Sequence, residues 1–153
     1  FLVSNGDRTR TLHDGLGRGE SMRDALSCRE REPDAPNYTP RITAMLDLQS
    51  GDASIGLSVL KANKINPEFT DRHYFYPGAP SDGIGYGLTT YMGDGNPLPT
   101  FIGDPLLLPL KGTAEETLEA YWEVLDKDNR ISLAVKEIAL DGSSSRIIFK
   151  NKY

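Results

Sequence analysis

An α+β fold is predicted by three observations. Short segments alternate apolar and polar residues from residue 41 onward, one later segment repeats apolar residues at helical spacing behind a capping box, and two helix-like stretches precede the first long strand. The 153 residues suffice for one domain, expected to span 1–153, and 38 % apolar residues can furnish its core. With 8 % aromatic and 25 % charged residues, the composition is neither that of a disordered tail nor that of a disulfide-stapled miniature.

The opening Phe1-Leu2-Val3 reads as the end of a strand whose neighbours lie upstream, so an N-terminally incomplete domain is expected. Ser4-Asn5-Gly6-Asp7 is a turn, because Asn, Gly and Asp tolerate left-handed backbone and bond to it locally. A helix follows over 9–16, its end marked by Gly15, Gly17 and Gly19. A second helix is predicted over 21–31, with Ser21 and Asp24 resembling a capping box, Met22, Ala25 and Leu26 as its apolar face, and Pro33 as its stop. The stretch Pro33-Asp34-Ala35-Pro36-Asn37-Tyr38-Thr39-Pro40 then holds three prolines in eight positions. Such a connector is stiff and extended, suited to holding side chains in place.

Residues 41–48 alternate Ile42, Ala44, Leu46 and Leu48 with Thr43, Met45 and Asp47, the period of a strand packed on one face. Ser50-Gly51-Asp52 turns the chain into a hairpin partner at 55–60, and further strands are expected at 73–76, 86–92, 106–110 and 131–140. Asp141-Gly142 begins a turn into a last strand at 146–149. One strong helix interrupts the series: Thr113-Ala114-Glu115-Glu116 is a capping box, followed by Leu118, Tyr121, Trp122 and Leu125 at helical spacing.

Several function classes fall away on these residues. Apolar runs such as Leu106-Leu107-Leu108 are far short of the roughly 20 residues of a spanning helix, so no membrane role is expected. A net charge of −5 argues against nucleic acid as partner. The single Cys28 forms no internal disulfide, pointing to a reducing, cytoplasmic compartment; on the apolar side of its helix it is expected to be a buried, inert thiol. His13 and His73 lie in unrelated contexts, so no metal site is expected. Gly83-Ile84-Gly85-Tyr86-Gly87 lacks the Lys-Ser/Thr pair and the helix of a phosphate loop and reads as a turn into a strand. Arg29-Glu30-Arg31-Glu32 reads as a solvated helix end.

Three segments concentrate polar groups on constrained backbone. In Ser4 to Thr9, N–H groups at a helix start together with Arg8 and Thr9 are placed to receive an anion, or simply to cap the helix. From Glu32 to Arg41 a carboxylate, an amide, a phenol and a guanidinium lie along the proline arm, which an ordinary salt bridge would also explain. Thr89 to Pro99 is a strand ending in a Gly-rich bend.

Together these segments resemble the archaeal-type inosine monophosphate (IMP) cyclohydrolase family, including its bacterial members. The resemblance rests on Ser4-Asn5-Gly6-Asp7, Arg23-Asp24-Ala25-Leu26, Glu32-Pro33-Asp34-Ala35-Pro36-Asn37-Tyr38-Thr39-Pro40-Arg41-Ile42 and Thr90-Tyr91-Met92-Gly93-Asp94-Gly95-Asn96-Pro97-Leu98-Pro99. It implies a fold similar to the four-layer αββα sandwich of N-terminal-nucleophile hydrolases, here lacking its N-terminal strands and without self-processing, since Phe1 is no nucleophile. The implied activity closes 5-formamidoimidazole-4-carboxamide ribonucleotide to IMP in purine biosynthesis, with no cofactor. The implied partner is that small purine ribonucleotide, and the implied assembly a homo-oligomer.

On this resemblance Glu32, Tyr38 and Arg41 are the catalytic candidates, with Arg41, Tyr38 or Asn37 donating to the formyl oxygen and Glu32 either accepting the amide proton or anchoring Arg41. Glu30 is the alternative carboxylate. Substrate contacts fall to Asn5, Gly6, Asp7, Arg8, Thr9, Asn37, Thr39, Thr90, Tyr91, Asp94, Gly95 and Asn96, with Arg8 and Arg41 as the phosphate candidates. Two other readings are a catalytically silent purine-nucleotide-binding protein and an amide hydrolase of the same fold. The second of these lacks an evident histidine partner for Cys28 or Ser4.

Overall fold

The computed structural model describes residues 1–48, 54–78 and 81–153. Along the chain run β1 (Leu2–Ser4), α1 (Arg8–Gly17), α2 (Met22–Leu26), β2 (Arg41–Asp47), β3 (Ser54–Ala62), β4 (Thr70–Phe75), β5 (Ile84–Gly87), β6 (Leu106–Pro109), α3 (Ala114–Val124), β7 (Ser132–Ile138) and β8 (Ser145–Asn151). This is a mixed α/β protein with antiparallel sheets and few helices, as the alternation of residue types predicts. The turn expected at Ser50-Gly51-Asp52 lies outside the described residues. The chain divides into two compact units, Phe1–Ala79 with Tyr86–Leu106, and Pro80–Gly85 with Leu107–Tyr153.

The first unit is built on a four-stranded sheet in the order β1-β2-β3-β4, with every neighbouring pair antiparallel. Residues directly opposite in such ladders share a face. Leu2 pairs with Met45 and Met45 with Gly56, while Ser4, Thr43, Ser58 and Tyr74 form the next row and Arg41, Leu60 and Arg72 the one after. This face meets the helices: Leu12, Met22, Ala25 and Leu26 form the buried core, with Leu2, Leu16, Met45 and Tyr74 packed against it. On the opposite face Leu57 and Val59 are buried, as is Phe101, whose carbonyl accepts from Lys61 Nζ at 2.9 Å.

Two helical expectations are corrected. Gly15 is not a stop signal but lies inside α1, where a Cβ would collide with the Cβ of Ala25, so it lets α1 and α2 approach closely. Helix α2, capped by Ser21 Oγ accepting from Asp24 N at 3.1 Å, ends at Leu26 and not near residue 31. Beyond it the backbone is held along β4: Arg31 N donates to Thr70 Oγ1 at 3.2 Å and Arg72 Nη2 to Arg29 O at 2.8 Å. These long-range bonds replace the helical ones. As a result Cys28 is exposed rather than buried, its Sγ reaching only Ala25 O at 3.7 Å.

The strand expected over 86–92 is also shorter, ending at Gly87. The 92–99 bend folds back on itself, with Met92 N donating to Pro99 O at 2.9 Å and a lone bridge joining Tyr91 to Thr100.

In the second unit the expected capping box is present at both ends, Glu116 N to Thr113 Oγ1 at 3.2 Å and Thr113 N to Glu116 Oε2 at 2.9 Å. Helix α3 buries Ala114, Leu118 and Trp122. It contacts the β7–β8 hairpin, to which Glu115 and Glu119 are tied by Arg146 and Lys150. Among the described residues no helix is long and apolar enough to cross a membrane.

Candidate functional site

The three segments singled out by sequence meet in the first unit, at the end of β1 and the start of β2. Alternation along β2 puts Arg41 on the helix-covered face, two residues from Thr43. There its side chain is only 14 % exposed and its guanidinium meets two carboxylates: Nη2 lies 2.8 Å from Glu32 Oε1, and Nη1 donates to Asp7 Oδ1. Arg29 Nη2 reaches the same Asp7 oxygen at 2.6 Å. Asp7 is the open side of the cluster, 68 % exposed. The bond from Arg41, and after it the one from Arg29, holds the Asp7 carboxyl below its usual value of 3.8.

Gly6 sits against this cluster with φ +81, a left-handed conformation that glycine adopts without strain. A Cβ there would lie 3.3 Å from Glu32 Oε1 and 3.7 Å from Arg41 Nη1. Asp7 stands at the N-cap of α1 but makes no side-chain cap bond; its carboxylate is turned to the arginines instead.

Arg8 is fully buried. Its Nη2 donates to Asn5 Oδ1 at 3.3 Å, and its Nε and Nη1 have no hydrogen-bond partner among the described residues. Burial, and then the neighbouring charges of Arg41 and Arg29, lowers its pKa to about 10, which leaves it protonated at neutral pH. Three guanidiniums therefore face two carboxylates in a chain whose net charge is −5.

The proline arm is fixed from both sides. Asp34 accepts from Thr39 N at 2.7 Å and from the Thr39 hydroxyl. Burial works to raise the Asp34 pKa, but the Thr39 bonds more than offset it and the net shift is downward. Tyr38 is held at φ +44, the one described non-glycine residue with positive φ, and Arg31 stacks over its ring at 4.3 Å. Such an outlier points to a site where backbone strain is tolerated for a purpose. Thr39 Oγ1 meets Tyr91 OH at 2.7 Å, and Asn37 Oδ1 accepts from Leu98 N at 3.1 Å, joining the arm to the Gly-rich bend.

Of the residues named from sequence, Asn5, Gly6, Asp7, Arg8, Glu32, Asn37, Tyr38, Thr39, Arg41, Thr90 and Tyr91 are brought into this linked region. Thr9 is turned aside, its hydroxyl 2.5 Å from Ser4 Oγ. Asp94, Gly95 and Asn96 lie on the exposed tip of the bend, and Leu98 is the residue that reaches the arm. Glu30 pairs with Arg72 at 2.8 Å and with Thr70, so Glu32 is the carboxylate at Arg41.

Sequence reasoning passed over Arg29, Arg31 and Asp34. The alternating charges before Pro33 are the signal that would have flagged the first two; an Asp between two prolines in a turn-forming stretch would have flagged the third. A cavity of about 310 Å³, lined by Asn5, Ile42, Ala44, Leu57, Tyr86 and Leu88, opens on the other face of the sheet beside Asn5. A larger groove of about 920 Å³ runs between α1 and the β1 edge, past Leu2, Thr9, Arg10, His13, Leu16 and Met45, and is not lined by Arg8, Arg29 or Arg41. Among the described residues no group of three His, Cys, Asp or Glu side chains is placed to hold a metal.

The arrangement offers guanidinium donors for an anion or a developing oxyanion, two carboxylates beside them, and phenols on a braced arm. It defines a protein of mixed α/β fold with a polar, charge-paired site on an antiparallel sheet. The profile of the IMP cyclohydrolase-like proteins matches residues 1–142, and the chain belongs to that family. The match covers the whole site and stops before β8. That membership supports a hydrolase-type enzyme. No curated protein and no solved structure matches the chain.

Proposed function

We propose that the chain is an IMP cyclohydrolase, closing 5-formamidoimidazole-4-carboxamide ribonucleotide to IMP. In that reaction the carboxamide nitrogen bonds to the formyl carbon, and the formyl oxygen leaves as water with one hydrogen from the carboxamide and one from the formamido nitrogen. Both reacting groups are poor partners, so holding them in contact matters most; a near-attack geometry can supply about 7–11 kcal/mol. The observation that carries the reading is the placement of Arg41, between Glu32 and Asp7 and against Gly6, beside a braced arm bearing Tyr38 and Asn37.

In this reading Arg41 and Tyr38 donate to the formyl oxygen as charge develops on it, and Glu32 both anchors Arg41 and accepts the amide proton. Arg29 neutralises the phosphate. The four-stranded sheet with α1 and α2 on one face supports the αββα sandwich of N-terminal-nucleophile hydrolases as the parent fold. A cytoplasmic homo-oligomer that needs no cofactor, with the ribonucleotide as its partner, belongs to the same reading.

The test is the purine absorbance that appears on ring closure. Turnover of the formamido ribonucleotide supports the reading and its absence refutes it. A second reading, a silent purine-nucleotide-binding protein, is favoured by the way Asp7 and Glu32 already occupy the Arg41 donors. Binding of IMP without turnover would select it.

A further inference from the structure

Resting on the ribonucleotide reading, we infer that Arg8 and Asn5 are positioning residues: together they clamp the backbone on both sides of Arg41 and take no part in contacting substrate. The Asn5 side chain uses its whole hydrogen-bonding capacity inside the protein. Its Nδ2 donates to Pro40 O at 2.9 Å and to Thr90 Oγ1 at 3.3 Å, while its Oδ1 accepts from Ile42 N at 2.7 Å and from Arg8 Nη2 at 3.3 Å. Pro40 and Ile42 flank Arg41, so one amide grips the chain immediately before and after it. Thr90 precedes Tyr91, whose hydroxyl meets Thr39. The same amide therefore ties the turn bearing Asp7, the strand start bearing Arg41 and the segment bearing Tyr91.

Pro40 O and Ile42 N–H fix which way that amide faces, and Arg8 reinforces it. With two donors converging on Oδ1 and two acceptors on Nδ2, only one of the two amide orientations satisfies all four bonds. A flipped Asn5 would set its NH2 against both Ile42 N–H and a guanidinium. Desolvating an arginine with two of its nitrogens unpaired is costly, and among the described residues Asn5 is the one hydrogen-bond partner of the Arg8 side chain. Its lack of exposure also bars it from touching a ligand directly.

The test compares Arg8→Met, Arg8→Lys, Asn5→Leu and the unaltered chain in two measurements, the kcat and KM of ring closure and the hydrogen exchange of the Ile42 amide. Displacing a reacting group by about 1 Å costs on the order of 100-fold, so kcat should fall by about that factor in Asn5→Leu, and by less in Arg8→Met, while KM moves little. Arg8→Lys should recover part of the loss. Ile42 exchange should accelerate about tenfold or more in Asn5→Leu, and measurably in Arg8→Met, as expected when a hydrogen bond is opened or weakened.

Folded variants with unchanged kcat and unchanged Ile42 exchange would overturn the proposal, as would a loss confined to KM. If Arg8→Met does not fold, Asn5→Leu, which keeps the size and branching of the side chain but none of its hydrogen bonds, carries the comparison. If the unaltered chain neither binds nor turns over the ribonucleotide, the functional reading has failed. Ile42 exchange then decides the clamp by itself: acceleration supports it, and an unchanged rate overturns it.

Discussion

Replacing Arg41 by lysine keeps the charge and removes the fork. In the structure Nη2 serves Glu32 at 2.8 Å while Nη1 serves Asp7, and the side chain is 14 % exposed. A single ammonium at the end of a flexible stem cannot hold both carboxylates in one plane. The bond to Glu32 is the sheltered one, and a charge-assisted bond of this kind is worth about 1.5–3 kcal/mol. If that bond sets the reactive geometry, losing it lowers turnover about 10- to 150-fold. The assay is the rate of purine absorbance with R41K and the unaltered chain at equal folded concentration, with circular dichroism as the check on folding. A folded R41K with an undiminished rate would remove Arg41 from the reaction and refute the reasoning.

Gly15→Ala should destabilise the first unit by about 1–3 kcal/mol, as overpacking between two helices does, and a urea midpoint that does not fall would contradict the α1–α2 contact. Stability should decline in acid. The bonds from Arg41 and Arg29 hold Asp7 below 3.8, and the Thr70 hydroxyl, then Arg72, holds Glu30 below 4.5. Because the folded values are lowered, the unfolded chain binds more protons near these values; the stabilisation is complete above about pH 5 and is lost as pH falls through the lowered values. Urea midpoints equal at about pH 6 and about pH 3 would contradict this. The exposed Cys28 should react with a thiol reagent in the native state, and Cys28→Ala should leave ring closure nearly unchanged; a thiol that reacts only after unfolding would refute the exposure.

The parts of the fold legible in the sequence are those fixed by local pattern. Alternation located β2, and the Thr113 capping box located α3, because each signal is complete within a few residues. The end of α2 was not legible. Arg29 to Glu32 continue in a helix-compatible way, and only their bonds to β4, some 40 residues on, pull the backbone straight.

The same distance explains the site. Glu32, Tyr38 and Arg41 share one stiffened stretch and stand out in it, whereas Arg29 gains its meaning from Asp7, and Arg31 from Tyr38, only after folding. Asn5 was visible as a turn residue. Its grip on Pro40, Ile42 and Thr90 depends on a sheet register that one segment alone does not reveal.

The most direct measurement is a crystal structure of the full chain with IMP bound. The account expects nucleotide oxygens within about 3 Å of the Arg41 and Arg29 guanidiniums, with Asn5 still bonded to Pro40 and Ile42. A nucleotide seated in the groove beside Leu2, Leu16 and Met45, leaving the Asp7–Arg41–Glu32 cluster untouched, would contradict it.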